Sequence, residues 1–396
     1  MEINQLKEEL YNELTCNILP FWANRMADKD RGGYYGQMTG ANRLVSDAPK
    51  GGILHARILW TFSSAALHLQ SDAYLAEARR AADYLLNHFF DEKHGGTYWM
   101  LHPDGTPADP KKQIYSQAFF IYALTEYFRA SGDEVALAKA KELFQLIEHH
   151  SFDTVKNGYL EAYSREWVLL NDLRLSEKDA NEKKTMNTHL HILEAYTNLF
   201  RVWKNSLLER QLKNLIAIFL QHIIDSVSGH LNLFFDEEWR CKSTIHSFGH
   251  DIEASWLLEE AVLVLGDEAT LQSVRGVVLK IADAAVEGLN ANGALINERD
   301  RVTGHLDNRS DWWPQAEAVV GFFNAWQLSG KDDYLVKACN SWRFIKQQLI
   351  DEQNGEWYWS VAAGEEKDKV NDKAGFWKCP YHNGRMCLEL IERIKA

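Results

Sequence analysis

Six short stretches of this chain carry the residue types that proton-transfer chemistry needs. Arg57 stands in GGILHARILW, Tyr115 in KKQIYSQAFF, and Asn187 with His191 in MNTHLHILEAY. His250 and Glu253 stand in FGHDIEASWLL, Asp311, Trp312, Trp313 and Glu317 in DWWPQAEA, and Trp377 with His382 in FWKCPYHNGR. Imidazoles titrate near pH ~6.5, so two of them can supply a base and an acid at neutral pH. Such a pair suits removal of a proton next to a carbonyl and return of a proton to the opposite face. An arginine aimed at the oxygen that gains charge would stabilise the enediolate between those two steps.

Other chemistries leave weaker traces. There is no G-x-G-x-x-G after a strand, no P-loop and no G-x-S-x-G, so no cofactor motif is present. His189 and His191 look like a metal pair, but residues two apart on a helix point about 200° apart. Asn187, four residues before His191, shares its face, which makes His191 the inward one. His246, His250 and Glu253 have the spacing of a one-helix metal site, yet His246 falls before the helix and nothing completes the set. No metal is expected. An inverting glycoside hydrolase would need two opposed carboxylates roughly 6.5–9.5 Å apart. Glu253, Asp311 and Glu317 leave that reading open. The adjacent Trp312 and Trp313 suit stacking on sugar faces, whereas Trp60, Trp203, Trp326 and Trp342 fall mid-helix and read as core.

The elements that must position these residues recur along the chain. Turn glycines followed by strand-like runs appear at Gly33, Gly96, Gly158, Gly229, Gly293 and Gly355, 62 to 71 residues apart. Self-similarity at one period marks a repeat architecture. Between these turns the apolar periodicity predicts twelve helices, over 2–25, 50–70, 72–91, 112–131, 134–150, 183–204, 205–225, 247–265, 267–288, 311–329, 332–350 and 376–395. Short turns alternate with long glycine-bearing loops. The pattern predicts an all-α fold, one closed (α/α)6 barrel with its helices in two concentric rings, the alternative being an open solenoid. Each group of unusual residues begins 18 to 29 residues after its glycine. That common phase puts all six at the starts of the inner helices, around one mouth, where helix N-termini favour developing negative charge.

Composition narrows the partners. Of 396 residues, 46% are hydrophobic and 25% charged, with 56 acidic against 43 basic side chains. The profile is globular, and the formal charge of -13 opposes binding to nucleic acid or to an anionic membrane surface. No apolar run reaches the roughly 18 residues of a membrane span, and the opening MEINQLKEELYNEL reads as a charged amphipathic helix. Five cysteines without a C-x-x-C pair fit reduced thiols in a cytoplasm.

Five stretches carry a resemblance: APKGGILHARILWTF (48–62), MNTHLHILEAY (186–196), HSFGHDIEASWLL (246–258), DNRSDWWPQAEAVVGF (307–322) and FWKCPYHNGRMCLEL (376–390). Collinear over nearly the whole chain, they resemble the cellobiose 2-epimerase branch of the N-acylglucosamine 2-epimerase superfamily. The resemblance implies an (α/α)6 barrel that inverts C2 of the reducing-end sugar in disaccharides such as cellobiose, lactose and mannobiose, without cofactor. On the same ground, His250 and His382 are the acid/base pair at C2. His191 and Arg57 hold and polarise the C1 and C2 oxygens, with one of the histidines assisting ring opening. Tyr115, Asn187, Glu253, Asp311, Trp312, Trp313, Glu317 and Trp377 match positions around the sugars. Relatives that act on N-acetylglucosamine, or isomerise mannose to fructose, are less similar around the double tryptophan and WKCPYHNGR. The expectation is a single cytoplasmic domain over 1–396, monomeric, taking a disaccharide, with no cofactor and no nucleic-acid or membrane partner.

Overall fold

The structure, a computed structural model, describes residues 2–361, 367 and 369–394. Among the described residues the helices are α1 (3–26), α2 (Gly52–Leu69), α3 (72–89), α4 (Ile114–Ser131), α5 (Glu134–His150) and α6 (Met186–Val202). They continue as α7 (206–223), α8 (Phe248–Leu265), α9 (Glu268–Val286), α10 (Trp312–Ser329), α11 (332–349) and α12 (Tyr381–Arg393). The even-numbered helices are buried nearly all round. In α2, every residue from Gly52 to Ala66 is buried, which is the signature of an interior helix and not of an amphipathic surface one. The odd-numbered helices bury one stripe and form the outer ring. Each even helix packs on the next, α2 on α4 through α10 on α12, and α12 packs back on α2. The ring is therefore closed, and the open solenoid is excluded. At the same seam Trp342 donates to Glu9 at 2.8 Å and Lys7 to the Ile394 carbonyl at 2.7 Å.

Two kinds of connection place the inner helices. From inner to outer helix the chain turns tightly, as at Gly132, whose φ of 74° a side chain would strain; Asp133 then caps α5 by accepting from the N–H groups of Val135 and Ala136. From outer to inner helix it runs through long loops, five of which open on an aspartate. Asp28, Asp91, Asp153, Asp225 and Asp351 each accept N–H groups two and three residues onward, a local turn that competes well with helix. In the first three loops the same carboxylate pairs with a buried lysine just before the inner helix: Lys50 at 2.9 Å, Lys112 at 3.0 Å and Lys184 at 3.0 Å.

A second anchor repeats on the inner helices. Their fourth residues, His55, Gln117, His189, Asp251 and Gln315, accept the backbone N–H groups of Tyr34, Thr97, Tyr159, Leu231 and Leu295 just beyond the turn glycines. Short antiparallel ladders add a third tie: Lys50–Gly51 pairs with Met100–Leu101, Lys112–Gln113 with Ala162–Tyr163, and Lys184–Thr185 with Phe234–Phe235. The starts of α2, α4, α6, α8 and α10 are thereby fixed to the loop of their own or the next repeat.

Most predicted boundaries lie within three residues of those observed. The exception is the last helix, which begins at Tyr381 and not at 376, because Pro380 supplies its N-cap. Its predicted end, residue 395, lies outside the described residues. Trp60 and Trp342 are buried as expected, whereas Trp203 and Trp326 are only half-buried at the rim. No described helix is long and apolar enough to cross a membrane, and the five cysteines are unpaired.

Candidate active site

The long loops that feed the inner helices surround a cavity of about 490 Å³, a size suited to a small ligand. Arg57, Tyr115, Asn187, His191, His250, Glu253, Asp311, Trp312, Trp313, Trp377 and His382 all line it. Six helix starts converge as their common phase predicted. Glu317, expected beside the sugar, does not line the cavity. One turn deeper on α10 than Trp313, it stands behind His382 and accepts from the Trp256 indole at 3.0 Å.

Three imidazoles reach the cavity from three helices, each held through Nδ1. His382 Nδ1 lies 2.7 Å from Glu317 Oε1, His191 Nδ1 lies 2.9 Å from Glu194 Oε2, and His250 Nδ1 lies 2.8 Å from the Ser247 hydroxyl. An imidazole held at Nδ1 presents Nε2 for chemistry. The ring of Trp313 lies against both His250 and His382, 4.7 Å from the first and 5.6 Å from the second. Burial depresses the pKa of His250 to about 3. It takes His382 to about 3 as well, against the opposing pull of Glu317. His191 is lowered well below the usual range by burial together with Arg57 and Arg385. All three are therefore neutral, and able to accept protons, at neutral pH. His189, the other member of the sequence pair, points the opposite way and bonds Thr185 O and Tyr159 N.

Arg57 is held in an aromatic box. Its Nη2 donates to Tyr115 OH at 2.8 Å and its Nη1 to the Trp377 carbonyl at 3.4 Å. The guanidinium lies over Phe119 and Tyr381, 4.2 and 4.8 Å from their centroids. Its Nε, with Asn187 Oδ1, Asp311 Oδ1 and Trp312 Nε1, has no protein partner among the described residues, and buried polar groups of this kind call for a ligand or water to satisfy them. Burial raises the Asp311 carboxyl to about 6. Trp312 is buried edge-on to Trp359 at 4.6 Å, and Trp377 stands 6.2 Å from Tyr115 and 6.0 Å from Trp99.

Behind the histidines lies a charged layer centred on Arg385, a residue not among the sequence candidates. Arg385 Nη2 donates to Glu253 at 2.7 Å and Glu317 at 2.6 Å, and Nη1 reaches Glu194 and Tyr381. Burial pushes Glu317 up, but Arg385 and His382 outweigh it and hold the carboxyl at about 2. Glu253, buried beside ionised Glu317, is raised to about 8 despite Arg385. Donor atoms of Glu253, Glu317 and His382 lie within 4.8 Å of one another. A guanidinium already neutralises this set, so it does not suit a resident divalent ion. The sequence triad fares no better: His246 stacks on His230 at 3.9 Å, away from Glu253. Clustering on one arginine also denies Glu253 and Glu317 the opposed placement of an inverting hydrolase. Further wall comes from Leu175–Asp179 and Trp359, loop residues without a periodic signal. Arg385 had a trace, three residues after His382 on the same helix face.

The N-acylglucosamine 2-epimerase family model matches residues 33–383. The chain is 54% identical to a cellobiose 2-epimerase of Bacteroides fragilis over 98% of each chain. It is 42% identical to one of Ruminococcus albus over 97% of this chain and 98% of the other. The solved cellobiose 2-epimerase of Bacillus thermoamylovorans superposes with a TM-score of 0.95 at 41% identity, covering 99% of this chain and 100% of that one. Identity of this extent, spread over a whole barrel, makes the chain a carbohydrate epimerase that belongs to the N-acylglucosamine 2-epimerase family, in its cellobiose 2-epimerase group.

Proposed function

We propose that this enzyme inverts C2 of the reducing-end sugar of β-1,4-linked disaccharides, turning cellobiose into glucosyl-mannose, lactose into epilactose or mannobiose into mannosyl-glucose. The observation that carries the reading is the convergence of His191, His250 and His382 on one cavity beside Arg57. The sugar opens its ring with help from His191, which exposes the C1 carbonyl. One of His250 and His382 takes the C2 proton, the electron pair moves toward C1, and Arg57 with His191 holds the enediolate oxygens. The other imidazole, having taken a proton from water at the cavity mouth, returns it to the opposite face, the first imidazole gives its proton back to water, and the ring closes. Glu317, ionised against His382, steadies the imidazolium. Glu253, held neutral by burial, can donate a hydrogen bond to a sugar oxygen. The chemistry needs no cofactor.

Cellobiose incubated with the enzyme in D2O tests this directly. The expected product is a disaccharide of unchanged linkage carrying deuterium at C2. A ketose would replace epimerisation by isomerisation, and free glucose would mean hydrolysis.

Trp377 supplies the platform for the sugar that does not react. Its ring shares the cavity wall with Tyr115, and tryptophan faces stack well on the C–H face of a pyranose. Binding energy from that remote ring can position C2. Trp377→Ala is expected to lower kcat/KM for cellobiose far more than for glucose. Equal losses on both sugars would place Trp377 at the reacting ring instead.

A further inference from the structure

The layer behind the histidines joins two of them. Glu194 Oε2 holds His191, while its Oε1 is shared by Tyr381 OH and Arg385 Nη1. The same guanidinium, through Nη2, holds Glu317 Oε1, which in turn holds His382. His191 on α6 and His382 on α12 thus hang from a single buried cation. Arg385 has no exposed surface. With Glu253 held neutral, Glu194 and Glu317 still share one arginine, and this excess of negative charge in the interior is costly unless a proton compensates it. The neighbouring charged groups are few: Arg57 from α2, His250 and Glu253 from α8, and Glu260 from deeper on α8.

Glu194 has a second face. It lines a cavity of about 790 Å³ at the opposite end of the barrel, beyond Trp60 and Tyr122. Most charges there are already matched, Arg129 with Glu126, Arg201 with Glu260 and Arg393 with Glu389, while Lys204 lies over the Phe200 ring. That rear cavity therefore offers Glu194 contact with water while a sugar fills the front.

We propose that Glu194 and Arg385 are positioning residues that bind His191 and His382 into one electrostatically linked pair, so that a proton gained by either imidazole disfavours a proton on the other. When His382 takes a proton it draws Glu317 toward itself. Arg385 then leans on Glu194, and the hold of Glu194 on His191 weakens. The pair carries one positive charge at a time, and the ring-opening group stays neutral while the C2 acid is charged. This inference rests on the epimerase reading for its kinetic consequence, but not for the linkage itself.

The test is Glu194→Gln, which keeps the shape and removes the charge, read on histidines labelled with 15N in the sugar-free enzyme. Besides the direct change at His191, the Nδ1–H resonance of His382 is expected to move, though Glu194 does not touch that ring. In turnover, kcat falls by about tenfold or more while KM changes little, as for acid–base machinery. Losses in Glu194→Gln and Glu317→Gln combine to less than their product, by about fivefold or more. An unmoved His382 resonance together with multiplying losses overturns the proposal. If Glu194→Gln does not fold, His191→Gln gives the same reading: His382 must respond, and an unchanged resonance refutes the linkage. Absence of any epimerisation by the unaltered enzyme would instead sink the functional reading and leave the linkage measurable.

Discussion

Exchange of His382 or of His250 for alanine is expected to lower kcat for cellobiose epimerisation by about 10²–10⁴-fold, the usual worth of one acid–base group. Inversion at C2 needs a proton removed from one face and a proton delivered to the other, so neither imidazole can cover for its partner. The two lie against Trp313 and come from helices α8 and α12. The loss must occur in a folded protein. His382 contributes a bond to Glu317, but Glu317 keeps Arg385 and Trp256 when that bond is gone. Circular dichroism and Tm close to those of the parent enzyme are therefore expected for His382→Ala. A variant of either histidine that retained more than about a tenth of the parental kcat would remove that residue from the two-base assignment.

Arg57→Lys is expected to cost about 10²-fold or more in kcat, the scale of one lost oxyanion donor. A lysine keeps the charge and loses the fork. In the present geometry Nη2 is committed to Tyr115 and Nη1 to the Trp377 carbonyl, with the plane lying on Phe119. Nε alone lacks a protein partner among the described residues. An ammonium on a flexible stem satisfies one of these contacts at a time and cannot be oriented by the aromatic box. The accompanying change in KM should be smaller than that in kcat, because the enediolate oxygen carries more charge than the carbonyl from which it forms. Steady-state kinetics on cellobiose decides the matter, and near-normal turnover would exclude Arg57 from the oxyanion role.

The helical repeat was legible because each of its parts has a local cause. Turn glycines and helix-length apolar segments recur at one period, and the common phase of the polar groups against those glycines located the cavity mouth. His191 was separable from His189 by helix geometry alone, and the structure turns the two rings as that geometry required. What remained hidden lies one helical turn further in. Glu194, Glu317 and Arg385 follow His191, Trp313 and His382 by three or four residues, and so form a deeper layer on the same faces. Their importance arises from contacts across the ring, between α6, α8, α10 and α12, which periodicity does not encode. Glu317 was visible as a carboxylate, but only tertiary placement shows it bonded to an imidazole instead of facing the sugar. Trp359 and residues 175–179 were missed for another reason: loop walls have no period to read.

Because α12 packs back on α2, the barrel has no end repeat that can fray while the rest persists. Open arrays of repeats gain and lose structure unit by unit. Here the seam joins groups as far apart in sequence as Lys7 and Ile394, 387 positions, and such distant contacts form late and slowly. Until that seam forms, two inner helices expose flanks built for an interior, so partial structures have little to gain by waiting. His382 and Arg385 ride on the closing helix itself. Acquisition of shape and acquisition of catalytic competence are therefore expected to coincide in this molecule.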